Sequence, residues 1–149
     1  ASPGTYPTAT NGGTLGINAV TLAHADGNVD FSEDLLPCIV SLKKGSVEDD
    51  TFAISFDPSK GRNCWCCAPG AATFSVNNGF FFNPAPDTDS EEQGYWKFSY
   101  EFPYVVVTSR KVTTQHFYYV EDYRQFRPAR EDATEDGHTL KGIKFLRLQ

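Results

Sequence analysis

The sequence predicts an all-β protein, a single-domain antiparallel β-sandwich or β-barrel of about eight or nine short strands with little helix. Three observations carry this expectation. Apolar and polar residues alternate over short stretches, those stretches are rich in aromatic and β-branched residues, and turn-forming residues separate them. With 14% aromatic residues, one flat sheet would leave too much ring surface in water, so a doubled or closed sheet is expected.

Along the chain, residues 1–13 are expected as an irregular lead to one domain spanning 1–149. Strands are expected at Thr14–Leu22, Cys38–Leu42, Thr51–Phe56, Ala72–Val76, Phe80–Phe82, Tyr95–Phe102, Tyr104–Ser109, Val112–Val120 and Ile143–Leu148. Asp57-Pro58-Ser59-Lys60-Gly61 reads as a type I-like turn. Asn77-Asn78-Gly79 predicts a tight hairpin between the strands on either side, because Asn and Gly tolerate positive φ. Single helical turns fit Phe31–Leu36 and Glu121–Phe126, the second ended by Pro128. Asn83–Gly94 and Arg127–Gly142 read as polar loops. Trp96 is expected in the core with Phe98 and Tyr100. No internal repeat occurs.

The stretch from Ala72 to Phe82, Ala-Thr-Phe-Ser-Val-Asn-Asn-Gly-Phe-Phe-Phe, resembles a strand, turn and strand of fungal secreted cell-wall proteins of the PhiA type. The resemblance covers these residues only and implies no activity, cofactor or site residue.

Charge excludes some partners. With 19 acidic against 13 basic residues the net charge is −6, which argues against nucleic acid and anionic membranes, since phosphate binding needs a basic face. No apolar run approaches the ~20 residues of a membrane span. Asp26-Gly27-Asn28-Val29-Asp30 opens like a calcium loop, but Phe31 stands where an EF-hand needs glycine and Pro37 where it needs its last carboxylate. The acidic run Asp87, Asp89, Glu91 and Glu92 reads as a solvated loop. No metal and no cofactor are therefore expected.

Chemistry concentrates in the cysteines. Cys38 stands alone, while Cys64, Cys66 and Cys67 crowd into Asn63-Cys64-Trp65-Cys66-Cys67. Adjacent Cα atoms lie ~3.8 Å apart, too close for a relaxed disulfide, so the unstrained bridge runs from Cys38 to one of the three. Closing that loop of about 27 residues would contribute about 3.5 kcal/mol. The spare cysteines leave a homodimer through an interchain bridge open. Clustered cysteines, the absence of methionine and the opening Ala1-Ser2-Pro3, which suits a processed signal peptide, make a secreted protein the expectation.

No catalytic motif such as Gly-x-Ser-x-Gly or His-Glu-x-x-His is present. The sequence therefore favours binding over catalysis: a lectin-like or other recognition module whose partner is a glycan or protein surface. Candidate contacts are Tyr118, Tyr119, Tyr123, Arg124 and Arg127, because Tyr and Arg are enriched at binding hot spots and rings stack on sugar faces. Trp65 joins them, since in an extended cluster it points away from Cys64 and Cys66 and is expected to be exposed. The alternative is a small secreted hydrolase using His24, His116, His138 or a carboxylate pair in a β-lined cleft.

Overall fold

The structure, a computed structural model, describes residues 2–7, 16–24, 38–44, 51–56, 64–67, 74–76, 80–83 and 93–145. Among these residues eleven antiparallel strands run in chain order: β1 (Ser2–Pro7), β2 (Ile17–His24), β3 (Ser41–Lys44), β4 (Thr51–Ser55), β5 (Cys64–Cys67), β6 (Phe80–Asn83), β7 (Trp96–Glu101), β8 (Tyr104–Ser109), β9 (His116–Val120), β10 (Gln125–Ala129) and β11 (Leu140–Lys141). The helical elements among the described residues are two 3-10 segments, Glu121–Tyr123 and Glu131–Asp136. The expected all-β, antiparallel class is what the chain adopts.

The strands form one sheet in the order β1-β2-β10-β9-β8-β7-β4-β5-β6, with β11 added to β9 and β3 to β4. That sheet is curled into a half-barrel. Four strand spacings separate β9 from β5, which in a flat sheet would be about 19 Å. Yet the rings of Trp65 on β5 and Phe117 on β9 stack with centroids 4.9 Å apart. Folding the sheet back on itself buries an aromatic centre in which Phe117 also meets Phe80 at 5.9 Å and Trp96 at 5.6 Å. On the other face of β9 and β10, Val76, Val120, Ala129 and Ala133 make a second, smaller core beneath the Glu131–Asp136 segment.

Several expectations are corrected. Ser2–Pro7, expected as part of an irregular lead, pairs with β2 from Ser2 opposite His24 to Pro7 opposite Ala19. Pro3 and Pro7 are tolerated there because β1 ends the sheet and does not need every N–H. Among the described residues, the segments flanking Asn77-Asn78-Gly79 do not pair with each other. Val76 bridges to Ala129, whereas β6 pairs with β5, Phe82 opposite Trp65 and Phe80 opposite Cys67. Burial of Phe80 and Phe82 against Trp65 and Phe56 outranks the local turn preference. The turn itself, the Asp57–Gly61 turn and the Phe31–Leu36 helical turn lie outside the described residues.

The expected loop from Arg127 to Gly142 instead holds most of β10, a 3-10 segment and β11. Glu121–Tyr123 does form a helical turn, but Arg124 ends it in the left-handed region at φ 53° and sends the chain into β10. Pro128 lies within that strand opposite Phe117, where β2 does not extend to ask it for an N–H. Trp96 is fully buried as expected and Phe98 packs against the core, but Tyr100 is 70% exposed.

Candidate functional site

Two surface features gather the residues that suit recognition. The first forms around the turn between β9 and β10. The left-handed Arg124 turns β10 back along β9, which brings Arg127 over Tyr123, its guanidinium carbon 4.6 Å from the ring centroid. Arg127 also donates from Nε and Nη2 to Gln125 Oε1, whose amide in turn donates to Asn18 on β2. Gly16 makes the arrangement possible: a Cβ there would stand 2.7 Å from Arg127 Cγ. Partial burial pushes the Arg127 pKa below its ordinary value. Tyr123 has His138 on another side, ring centroids 5.2 Å apart, and His138 Nδ1 lies 2.7 Å from Asp122 Oδ2.

Asp122 also accepts from the Thr139 amide at 2.9 Å, which ties the segment before β11 to this turn. Partial burial raises its pKa, but the hydrogen bonds from Thr139 and His138 outweigh this and hold the carboxyl below its ordinary value. A carboxylate depressed in the folded state stabilises the fold above its unfolded pKa, and that contribution is lost as pH falls through the folded value. Asp122→Asn is therefore expected to lose stability less steeply than the wild type as pH falls below about 3.9. Urea midpoints at pH 7 and at stepwise lower pH would show it; parallel pH profiles would contradict it.

The second feature is the tip of the β7–β8 hairpin. The register runs Tyr100 opposite Val105 and Glu101 opposite Tyr104, closed by Phe102-Pro103. Tyr100 is 70%, Phe102 84% and Tyr104 45% exposed, and the Tyr100 and Phe102 rings meet edge to face at 6.3 Å. Tyr104 lies against Gly142, where a Cβ would come within 2.7 Å of its ring. Tyr100 and Phe102 form an apolar knob at the hairpin end of the kind that anchors partner surfaces, with Tyr104 exposed on the opposite face of the hairpin.

Of the residues expected to bind, Tyr123 and Arg127 are brought together, with exposed Arg124 beside them. Tyr118 and Tyr119 lie on opposite faces of β9, packed against the small and the main core respectively. Burial, with Glu131 and Glu101 nearby, raises the Tyr118 pKa. Trp65, expected to be exposed, is buried and stacked on Phe117. Its direction relative to Cys64 and Cys66 is as expected, but the curled sheet puts the core on its side. The knob was missed because Trp96, Phe98 and Tyr100 alternate identically, whether core or tip. The Phe102-Pro103 pair that breaks the two strands was the available sign that Tyr100 sits at an end.

The expected disulfide is not present: Cys38, Cys64, Cys66 and Cys67 are all thiols, and all are buried. β5 holds Cys64 and Cys66 toward one face and Cys67 toward the other, so no common partner reaches all three. No sulfur is presented for the expected interchain bridge. Cys67 Sγ lies 3.8 Å from Gln115 Oε1, and burial pushes its thiol up to about 11 despite a hydrogen bond with Ser109.

The histidines divide the parts of a triad between separate places. His138 has a carboxylate, while His116 Nδ1 has the Thr108 hydroxyl at 2.8 Å. Among the described residues no group of three or more His, Cys, Asp or Glu side chains could hold a metal ion. The acidic runs 26–30 and 87–92 lie outside those residues. No helix among them is long and apolar enough to cross a membrane. No protein-family model, curated protein or solved structure matches this chain.

Proposed function

We propose that the protein is a recognition module that binds a glycan or protein surface through the aromatic tip of the β7–β8 hairpin. One observation carries the reading. Tyr100 and Phe102 stand exposed together at 70% and 84%, with Tyr104 at 45% on the opposite face of the hairpin, whereas the main clusters of rings among the described residues are buried. Exposed rings held by a hairpin lose little entropy on binding and offer flat apolar faces to a sugar ring or a side-chain pocket. The Tyr123–Arg127 pair supports the reading as a second contact of the Tyr and Arg type.

The test is a glycan array and an array of extracellular protein domains, probed with the wild type and with Tyr100→Ala/Phe102→Ala. The double variant is expected to fold normally and to lose binding by more than about tenfold, the effect of removing two hot-spot rings. Silence of the wild type on both arrays, or undiminished binding by the variant, would reject the proposal.

The hydrolase reading has the Asp122–His138 pair on its side, a histidine oriented by a carboxylate. Against it, the hydroxyl that meets a histidine belongs to Thr108 and His116, on the far end of β9. Hydrolytic activity abolished by His138→Ala would favour it over recognition.

A further inference from the structure

We propose that Cys64 and Cys66 form a two-coordinate site for a soft monovalent cation, copper(I). They stand two residues apart on β5 and so share a face, while Trp65 and Cys67 turn into the aromatic core. Both are buried, at 2% and 0% exposure, and the Cys66 thiol is hydrogen-bonded to the Cys64 sulfur.

Spacing decides what can join the two sulfurs. Residues i and i+2 of a strand have Cα atoms about 6.6 Å apart and nearly parallel Cα–Cβ bonds, whereas a disulfide draws its Cβ atoms to about 3.8 Å. A metal bound at about 2.3 Å from each sulfur in a linear arrangement sets them about 4.6 Å apart. Leaning the two side chains toward each other by about 1 Å apiece reaches that separation without bending the strand.

Ligand number then selects the ion. Structural zinc takes four ligands, and among the described residues no cluster of three or more metal-binding side chains exists. Cys67 is removed by its orientation into the aromatic core. Two thiolates in a water-poor setting suit a soft cation, and copper(I) is the one that thiolates favour. Loading is ligand exchange without a redox step. Copper(I) leaves a weaker complex, two S–Cu bonds form, each thiol gives its proton to solvent, and the bound unit carries one net negative charge. Entry needs only local opening, because β5 is covered on one side by the four-residue terminal strand β6.

The test is anaerobic titration of the reduced full chain with copper(I) held by a competing chelator, followed by X-ray absorption at the copper edge. One copper per chain with two sulfur neighbours is expected, with affinity rising by up to about a hundredfold per pH unit as two protons are released. Cys64→Ser and Cys66→Ser should each weaken binding at least a hundredfold, and Cys38→Ser should leave it unchanged. No binding, three or more sulfur neighbours, loss of binding in Cys38→Ser, or a disulfide at Cys64 or Cys66 in the protein as purified would overturn the site. Where a Cys64 or Cys66 variant fails to fold, the sulfur count of the wild type and the Cys38→Ser result decide. Tyr100→Ala/Phe102→Ala should bind copper normally, which separates this site from the recognition proposal.

Discussion

Phe117→Ala is expected to cost about 3 to 5 kcal/mol of folding stability, the range for truncating a buried aromatic ring. Phe117 is 2% exposed and stands where the curled sheet closes. Its ring stacks on Trp65 at 4.9 Å, meets Trp96 at 5.6 Å and Phe80 at 5.9 Å, and faces Phe126 at 6.5 Å. These partners belong to β5, β7, β6 and β10, so the cavity left by alanine would loosen contacts between distant strands and could not be filled by one neighbour's shift. Melting temperature should fall by an amount on the order of 10 °C. Tyr100→Ala, at the exposed tip, should change stability by no more than about 0.5 kcal/mol. If calorimetry gave the two variants similar small losses, the closing of β9 over β5 would be wrong.

Gln115 is the second position where one change should be severe. It is completely buried, its amide donates to the Phe74 carbonyl at 3.2 Å, and its oxygen faces the Cys67 sulfur at 3.8 Å. Its backbone carbonyl and N–H hold the turn from β8 to β9 through Ser109 and Val112. Gln115→Leu keeps the volume but strands the Phe74 carbonyl, a cost of about 1 to 3 kcal/mol. Gln115→Glu should cost more at neutral pH, about 3 to 5 kcal/mol, because it would bury a negative charge and set it against the Phe74 carbonyl. Its sign with pH is opposite to that of Asp122. Burial would raise the folded pKa of this carboxyl above the ordinary ~4.3, so the penalty grows as pH rises through that value and shrinks again in acid, where the protonated form can donate to Phe74. Urea midpoints of the two variants at pH 4 and pH 7 measure this; a pH-independent gap between them would contradict it.

The strand pattern was legible where local sequence and tertiary environment agree. Tyr104–Ser109 is rich in β-branched residues and forms β8 with those bounds, and Trp96 lies buried mid-sheet as the surrounding pattern implies. The helical turn starting at Glu121 was legible, although Arg124 and not Pro128 ends it. The candidate site was legible only in part. Tyr123 and Arg127 are close in sequence, so one turn unites them, whereas His138 and Asp122 are 16 residues apart and meet only because the chain returns to β9 as β11.

By itself the sequence determined that the chain is antiparallel β, that its strands are short, and that its aromatic content demands a doubled or closed sheet. Tertiary structure alone decided which segments pair, which face of β5 is inside, and where the core ends along the β7–β8 hairpin. The physical reason is that alternation marks two faces on every strand without saying which one another strand will cover. Trp65 was placed on the correct side of β5 from its neighbours, but whether that side is wet depended on Phe117, 52 residues away, arriving to stack on it. Tyr100 follows the same alternation as Trp96 and stays in water, because the curl of the sheet closes over one end of the hairpin and leaves the other open.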